Sequence, residues 1–269
     1  MTTNRQHLHT HDYLRDLGVA ELPPLTSPFD PGYDPATLQS HLGQSSHLMA
    51  SIKISMACWL VADEGATRGK VAAANEAGVP AVTGGGPFEV AVAQNMLPRY
   101  LELCADIGFA RIECGSGFTG AELDPRQIVA LAAEHGLEVQ YEVGDKHAAM
   151  SVTDAIETGK AWLDAGAVAI VVEAREDAEG VGLFDAGGSL DTAGGEQFAA
   201  ALGLERVVFE APTKASQFAF LSHFGPRVQL GNVRLEELLR VEIYRRGLHS
   251  DAFGQPLLRP RSDHTAETR

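Results

Sequence analysis

Cations are scarce in this chain. Of its 269 residues, 21 are Lys or Arg against 36 Asp or Glu, a formal net charge of -15. That deficit excludes the clustered Lys and Arg that a nucleic-acid surface or an anionic membrane would need, so neither partner is expected. A small anionic substrate is still admitted, because a few local cations and backbone N–H groups can dominate one pocket. Cysteine is scarce too. Cys58, Cys104 and Cys114 are odd in number and match no metal spacing. They read as small buried side chains in a reducing cytoplasm. The amino terminus lacks an apolar stretch behind charged residues, so no signal peptide is expected. No apolar run reaches the length of a membrane span. No Gly-x-Gly-x-x-Gly opens a helix after the first strand, and the P-loop, the Gly-x-Ser-x-Gly elbow and the His-Glu-x-x-His pair are missing. A cytoplasmic, homo-oligomeric protein is expected.

What is present is rhythm. The composition, 45% hydrophobic and 21% charged, suits a full core, and the length suits one large α/β barrel or two small domains. The stretch Glu138 to Lys146 starts as an alternating strand, and Glu142, Asp145 and Lys146 arrive just as the pattern stops. Charged groups delivered at the carboxyl end of a strand, ahead of a loop and a helix, are how a (β/α)8 barrel presents an active site. The pattern recurs. Strands are expected at Ser51–Ser55, Val79–Val82, Ala110–Glu113, Val168–Val172, Arg206–Phe209 and Val228–Leu230, with a weak first strand at Leu17–Leu22. Helices are expected from Pro35 to Leu48, Asp63 to Ala77, Phe88 to Ile107 with a break near Pro98, Asp124 to Gly136, Val152 to Ala165, Glu196 to Leu202, Ala215 to His223 and Leu235 to Arg246. Pro23–Pro35 reads as a long loop, and His7, His9 and His11 fall in a frayed terminus. Eight strand–helix units with no linker predict a single TIM barrel over 13–254, between a disordered segment 1–12 and a polar tail 255–269. A doubly wound open sheet is the runner-up.

In such a barrel the strand ends share one pocket. Here they carry Lys53, Glu113, Glu142 with Lys146, Glu173 with Arg175, Glu210 with Lys214, and Asn232. Four carboxylates in one pocket repel unless cations or protons neutralise them. Lys and Arg could do part of this, and Mg²⁺ bound through Glu113, Glu142, Glu173 and Glu210 could do the rest. The competing reading is a set of ion pairs tying barrel layers together, though buried ion pairs are weak stabilisers. Gly84, Gly85 and Gly86, and Gly231 with Asn232, are candidate anion-binding turns. Lys146 could protonate an enolate formed by addition to a double bond.

At these strand ends the sequence resembles the phosphosulfolactate synthase family. The resemblance is carried by Ile52–Lys53, Gly84–Gly85 with Phe88–Glu89, Ile112–Glu113, Glu142–Lys146, Val172–Glu176, Val181–Asp185, Phe209–Lys214 with Gln217, Leu230–Asn232 and Arg246–Leu248 before Asp251 and Phe253. It implies a TIM barrel that adds sulfite to C2 of phosphoenolpyruvate with Mg²⁺, stabilising an aci-carboxylate that the lysine matching Lys146 protonates. It further implies Lys53 and Arg175 as catalytic cations, with Gly84, Gly85, Lys214, Gly231, Asn232 and His249 contacting substrate. The chain departs from the family pattern in its loops. Lys-Phe-Gly-Trp-Gly-Thr becomes Lys53, Ile54, Ser55, Met56, Ala57 and Cys58, and an Asp before that lysine becomes Ala50. Gly-Gly-Thr-Leu becomes Gly84 to Pro87, Glu-Ile-Ser-Asp-Gly becomes Glu113 to Gly117, and a loop lysine becomes Asp145. An arginine becomes His249. A weaker grip on a phosphorylated substrate is the expected consequence. The alternative to an enzyme is a barrel that has turned to binding, since plant relatives of the family are associated with heat stress.

Overall fold

In a computed structural model of the chain, the described residues are 9–144, 151–173, 183–184 and 189–260. Eight strands pair in parallel in chain order: β1 (Thr26–Asp30), β2 (Ile52–Ile54), β3 (Ala81–Thr83), β4 (Arg111–Cys114), β5 (Glu138–Val143), β6 (Ala169–Val172), β7 (Val207–Glu210) and β8 (Gln229–Arg234). β8 returns to β1 and closes the barrel, which settles the choice against an open sheet. Helix α1 (His9–Asp16) precedes the barrel. The strands are joined by α2 (Pro35–Ser45), α3 (Cys58–Val61), α4 (Glu64–Glu76), α5 (Gly85–Ala93), α6 (Leu97–Ile107), α7 (Pro125–Glu134), α8 (Val152–Ala165), α9 (Thr192–Leu202) and α10 (Lys214–Phe224). α11 (Leu238–Arg245) follows the last strand.

Local chemistry sets the helix boundaries. Asp34 and Asp124 each precede a proline at the first helical position and accept two backbone N–H bonds, starting α2 and α7. Thr213 and Ser216 cap α10 reciprocally. Gly108 and Gly166 end α6 and α8 in the left-handed region, at φ 98° and 110°. Alternation along each strand then sorts side chains to two faces. Along β5, Val139, Tyr141 and Val143 pack outward in the large core between strands and helices, with Tyr141 stacked on Trp162 of α8 at 4.2 Å. Gln140 and Glu142 line the barrel interior instead. The apolar part of that interior is small, a separate cluster of Ala169, Val171 and Val208.

The barrel seam is polar and dry. Thr26 on β1 donates to Glu242 on α11 at 2.5 Å, Arg245 Nε donates to the same carboxylate at 2.9 Å, and Arg246 pairs with its other oxygen. Arg245 Nη1 also donates to the Val228 carbonyl at 2.6 Å, so one buried guanidinium ties the first strand, the last strand and the last helix.

Four boundaries differ from the sequence reading. The first strand is not at Leu17–Leu22 but at Thr26–Asp30, inside the segment expected to be a loop, where Thr26, Pro28, Phe29 and Asp30 are buried although the stretch is rich in proline. The third helical segment starts at Gly85, and its break falls at 94–96, with Pro98 already in the first turn of α6. α9 begins at Thr192, capped by Asp191, and runs through Gly194 and Gly195. β8 continues through Gly231 and Asn232 to Arg234. His9 and His11 stand on α1, with His11 3.1 Å from Glu21; His7 lies outside the described residues. The start of the polar tail folds back, the Gly254 N–H donating to the Arg259 carbonyl at 2.7 Å. No helix among the described residues is long and apolar enough to cross a membrane.

Candidate active site

The carboxyl ends of the strands surround a cavity of about 640 Å³. Its floor is a lysine between two glutamates. Lys53 projects inward from β2, with its Nζ 3.0 Å from Glu113 on β4 and 3.4 Å from Glu210 on β7. Burial pushes the Lys53 ammonium down, but Glu113, Glu210 and Glu142 outweigh it and hold its pKa well above the usual lysine value. The second Glu113 oxygen accepts from Gln140 Nε2 at 2.8 Å, and Arg111 supports Gln140 from below at 3.3 Å. Glu113 also accepts the Gly85 N–H at 3.1 Å. A second, smaller cavity of about 160 Å³ shares Lys53, Glu113 and Asn232 with the first and is also lined by Gly231.

Glu142 at the end of β5 and Glu173 just past β6 complete an acidic arc from β4 to β7. The neighbouring sector, β2 to β4, is apolar: Met56 and Leu60 follow β2, Pro87 and Val90 sit on α5, and Phe118 follows β4. Two devices hold this wall. Gly84 packs so closely that a Cβ there would lie 2.8 Å from the Met56 nitrogen, and Met56 itself adopts a positive φ of 50°. Glu89 on α5 is buried, and its carboxylate accepts the N–H groups of Gly117, Phe118 and Thr119 and the Thr119 hydroxyl, all within 3.0–3.2 Å.

The four expected carboxylates all line the one cavity. They do not gather as one metal cage: Glu113 and Glu210 are taken by Lys53, and among the described residues no three acidic, His or Cys groups form a metal cluster. Gly84, Gly85 and Asn232 also line the cavity, but the Gly85 N–H is spent on Glu113. Gly231 lies within β8, where a Cβ would meet Val208 at 2.8 Å, so its place is in the barrel packing and not in an anion-binding turn. Lys214 and His249 stand apart from the cavity lining. Lys214 pairs with Asp251 at 3.4 Å and lies over the Phe218 ring, and His249 packs edge-on to Phe218 while accepting the Asp251 N–H. Lys214 also lowers the Asp251 carboxyl pKa, chiefly through that hydrogen bond. Lys146 and Arg175 lie outside the described residues.

Three buried polar positions around the site carry no assigned role in the sequence reading. Gln140 shares the Glu142 face by its two-residue spacing, a signal visible in the strand pattern. Glu89 stands in a matching motif without an assigned role. Asp30, at the end of β1, is buried against Lys70 at 2.7 Å and accepts the N–H groups of Gly32 and Tyr33.

A family profile described as (2R)-phospho-3-sulfolactate synthase matches residues 24–251. A phosphosulfolactate synthase from Methanocaldococcus jannaschii is 30% identical over 236 residues, covering 86% of this chain and 94% of that protein. One from Methanothermobacter thermautotrophicus is 28% identical, covering 86% and 92%. Among solved structures, the 3-dehydroquinate dehydratase of Geobacillus kaustophilus superposes with a TM-score of 0.54 at 12% identity, covering 83% of this chain and 91% of that one, which is a likeness of fold alone. The family's description puts the sulfo group on carbon 3 of lactate. The carbon–sulfur bond it names is therefore at C3, a correction to the C2 attack stated from the resemblance.

Proposed function

Because this chain belongs to the (2R)-phospho-3-sulfolactate synthase family, we propose that it joins sulfite to an enol or unsaturated acid, with phosphoenolpyruvate as the family's acceptor. The sulfur lone pair forms the new bond at the terminal alkene carbon. The π pair moves toward the carboxylate, giving an aci-carboxylate, and a proton added at C2 restores the acid. Lys146 is the proton donor in this scheme, and Arg175 is assigned to stabilise the growing charge. Electrostatic stabilisation of that charge is the main demand on the site.

Lys53 supplies a permanent positive charge at the floor, because its raised pKa keeps it an ammonium throughout the neutral range. It acts by charge rather than as the proton donor. The donor set fits Mg²⁺, whose usual share of protein ligands is one or two carboxylates completed by substrate and water oxygens. Glu142 and Glu173 are the carboxylates assigned to it, and the bound ion would neutralise the reacting carboxylate. Gln140 and the Gly85 N–H keep Glu113 turned toward Lys53.

The observation that carries the reading is this floor, Lys53 held by Glu113 and Glu210 on strands 2, 4 and 7, at positions that match the family motifs. A cytoplasmic, homo-oligomeric enzyme belongs to the same reading. The test is purified protein with Mg²⁺, sulfite and phosphoenolpyruvate, read by mass spectrometry. A sulfite adduct lost in Lys146→Ala supports it. Absence of any adduct, together with no Mg²⁺ uptake in calorimetry, would favour the binding-protein alternative.

A further inference from the structure

We propose that the acceptor handled by this site carries an apolar substituent lying on the β2–β4 wall, so that its class is an unsaturated carboxylate with a hydrocarbon tail. The inference rests on the addition reaction proposed above. The cavity has two unlike sectors in barrel order. From β4 to β7 the lining is charged, with Glu113, Glu142, Glu173 and Glu210 around Lys53. From β2 to β4, beyond Lys53 at the floor, the lining side chains are uncharged: Ser55, Met56, Ala57, Leu60, Pro87, Val90 and Phe118, with the backbone of Gly84, Gly85 and Gly86 between them.

The apolar sector is open to solvent as well as contiguous. Met56 is 64% exposed, Val90 53%, Leu60 47% and Phe118 39%. Scattered exposed apolar side chains are ordinary, but a continuous set inside the cavity that holds the reactive groups marks a binding surface. Its geometry is held on purpose: Glu89 fixes the Phe118 backbone, and Gly84 admits the Met56 backbone. A phosphoryl group laid on the apolar side chains of Met56, Leu60, Val90 and Phe118 would lose water and gain no counter-charge. A hydrocarbon chain would cover the wall while its carboxylate stays at the charged floor.

The test is calorimetric titration of the full chain, with Mg²⁺ present, by but-2-enoate, hex-2-enoate and oct-2-enoate, and separately by phosphoenolpyruvate. Each methylene laid on the wall should tighten binding about fourfold, the worth of a buried CH₂. Val90→Lys, at an exposed helix position, should flatten that dependence and strengthen phosphoenolpyruvate. Affinity that ignores chain length, a length dependence unchanged in Val90→Lys, or wild-type preference for phosphoenolpyruvate over every enoate each overturns the inference. Mass spectrometry with sulfite separates this from the reaction itself. Chain-length-dependent binding without adduct removes the addition reaction and leaves the apolar occupant standing.

Discussion

Lys53 is the residue on which two buried carboxylates depend. Replacing it by methionine keeps most of its volume but removes the cation from Glu113 and Glu210, which are almost fully buried. Removing one partner of such a set costs about 3–5 kcal/mol, so urea unfolding of Lys53→Met should show a loss of that size, together with loss of turnover. The pH sign follows from the direction of the shift. The folded pKa is raised above the unfolded value of about 10.4, so the stabilisation is full below that pH and is lost only as pH rises through the folded pKa. Unfolding midpoints should therefore show no step from Lys53 between neutral pH and the unfolded lysine pKa. The cysteines behave oppositely: burial pushes the Cys104 thiol up to about 12 and also raises Cys114 and Cys58. Iodoacetamide on the folded protein should label the part-exposed Cys58 first and leave the other two until unfolding.

At the scale of elements, two loops that depart from the family pattern, those after β2 and β4, are held by close scaffold contacts. Glu89→Ala would leave three backbone N–H groups of the β4–α7 loop without their acceptor, at a cost of about 1–3 kcal/mol. Limited proteolysis should cut that loop faster in the variant. Gly84→Ala would push the Met56 backbone aside and, like other overpacked sites, cost about 1–3 kcal/mol, with a larger effect on catalysis than on the melting temperature. The alternation of strands and helices was legible because Asp–Pro starts, glycine stops and apolar runs such as Val168–Val172 are local signals. β1 was not. Its five residues include a proline and three polar side chains, and they are buried by partners far along the chain, β8 and α11. The acidic arc was legible from strand ends, since Glu113, Glu142, Glu173 and Glu210 do meet. The absence of Lys214 and His249 from the cavity lining was not, because Lys214 opens α10 and His249 follows α11, and neither place says which partner a side chain will meet.

For the whole molecule, the decisive contact is the seam where the last strand meets the first. Glu242→Ala would leave Arg245 buried beside Arg246 and should destabilise the barrel by about 3–5 kcal/mol, measured by thermal or urea unfolding, although Glu242 is remote from the cavity. That seam also governs when the protein can be made. Thr26 and Glu242 are 216 residues apart, so the ring cannot close until the chain has left the ribosome through α11. Until then the nascent sheet has two bare edges, one on β1 and one on the most recent strand, each able to pair with a neighbouring chain. A chain cut after Arg227, lacking β8 and α11, should accumulate in the insoluble fraction. For a cell, synthesis of this barrel is an all-or-nothing event, decided by its last strand.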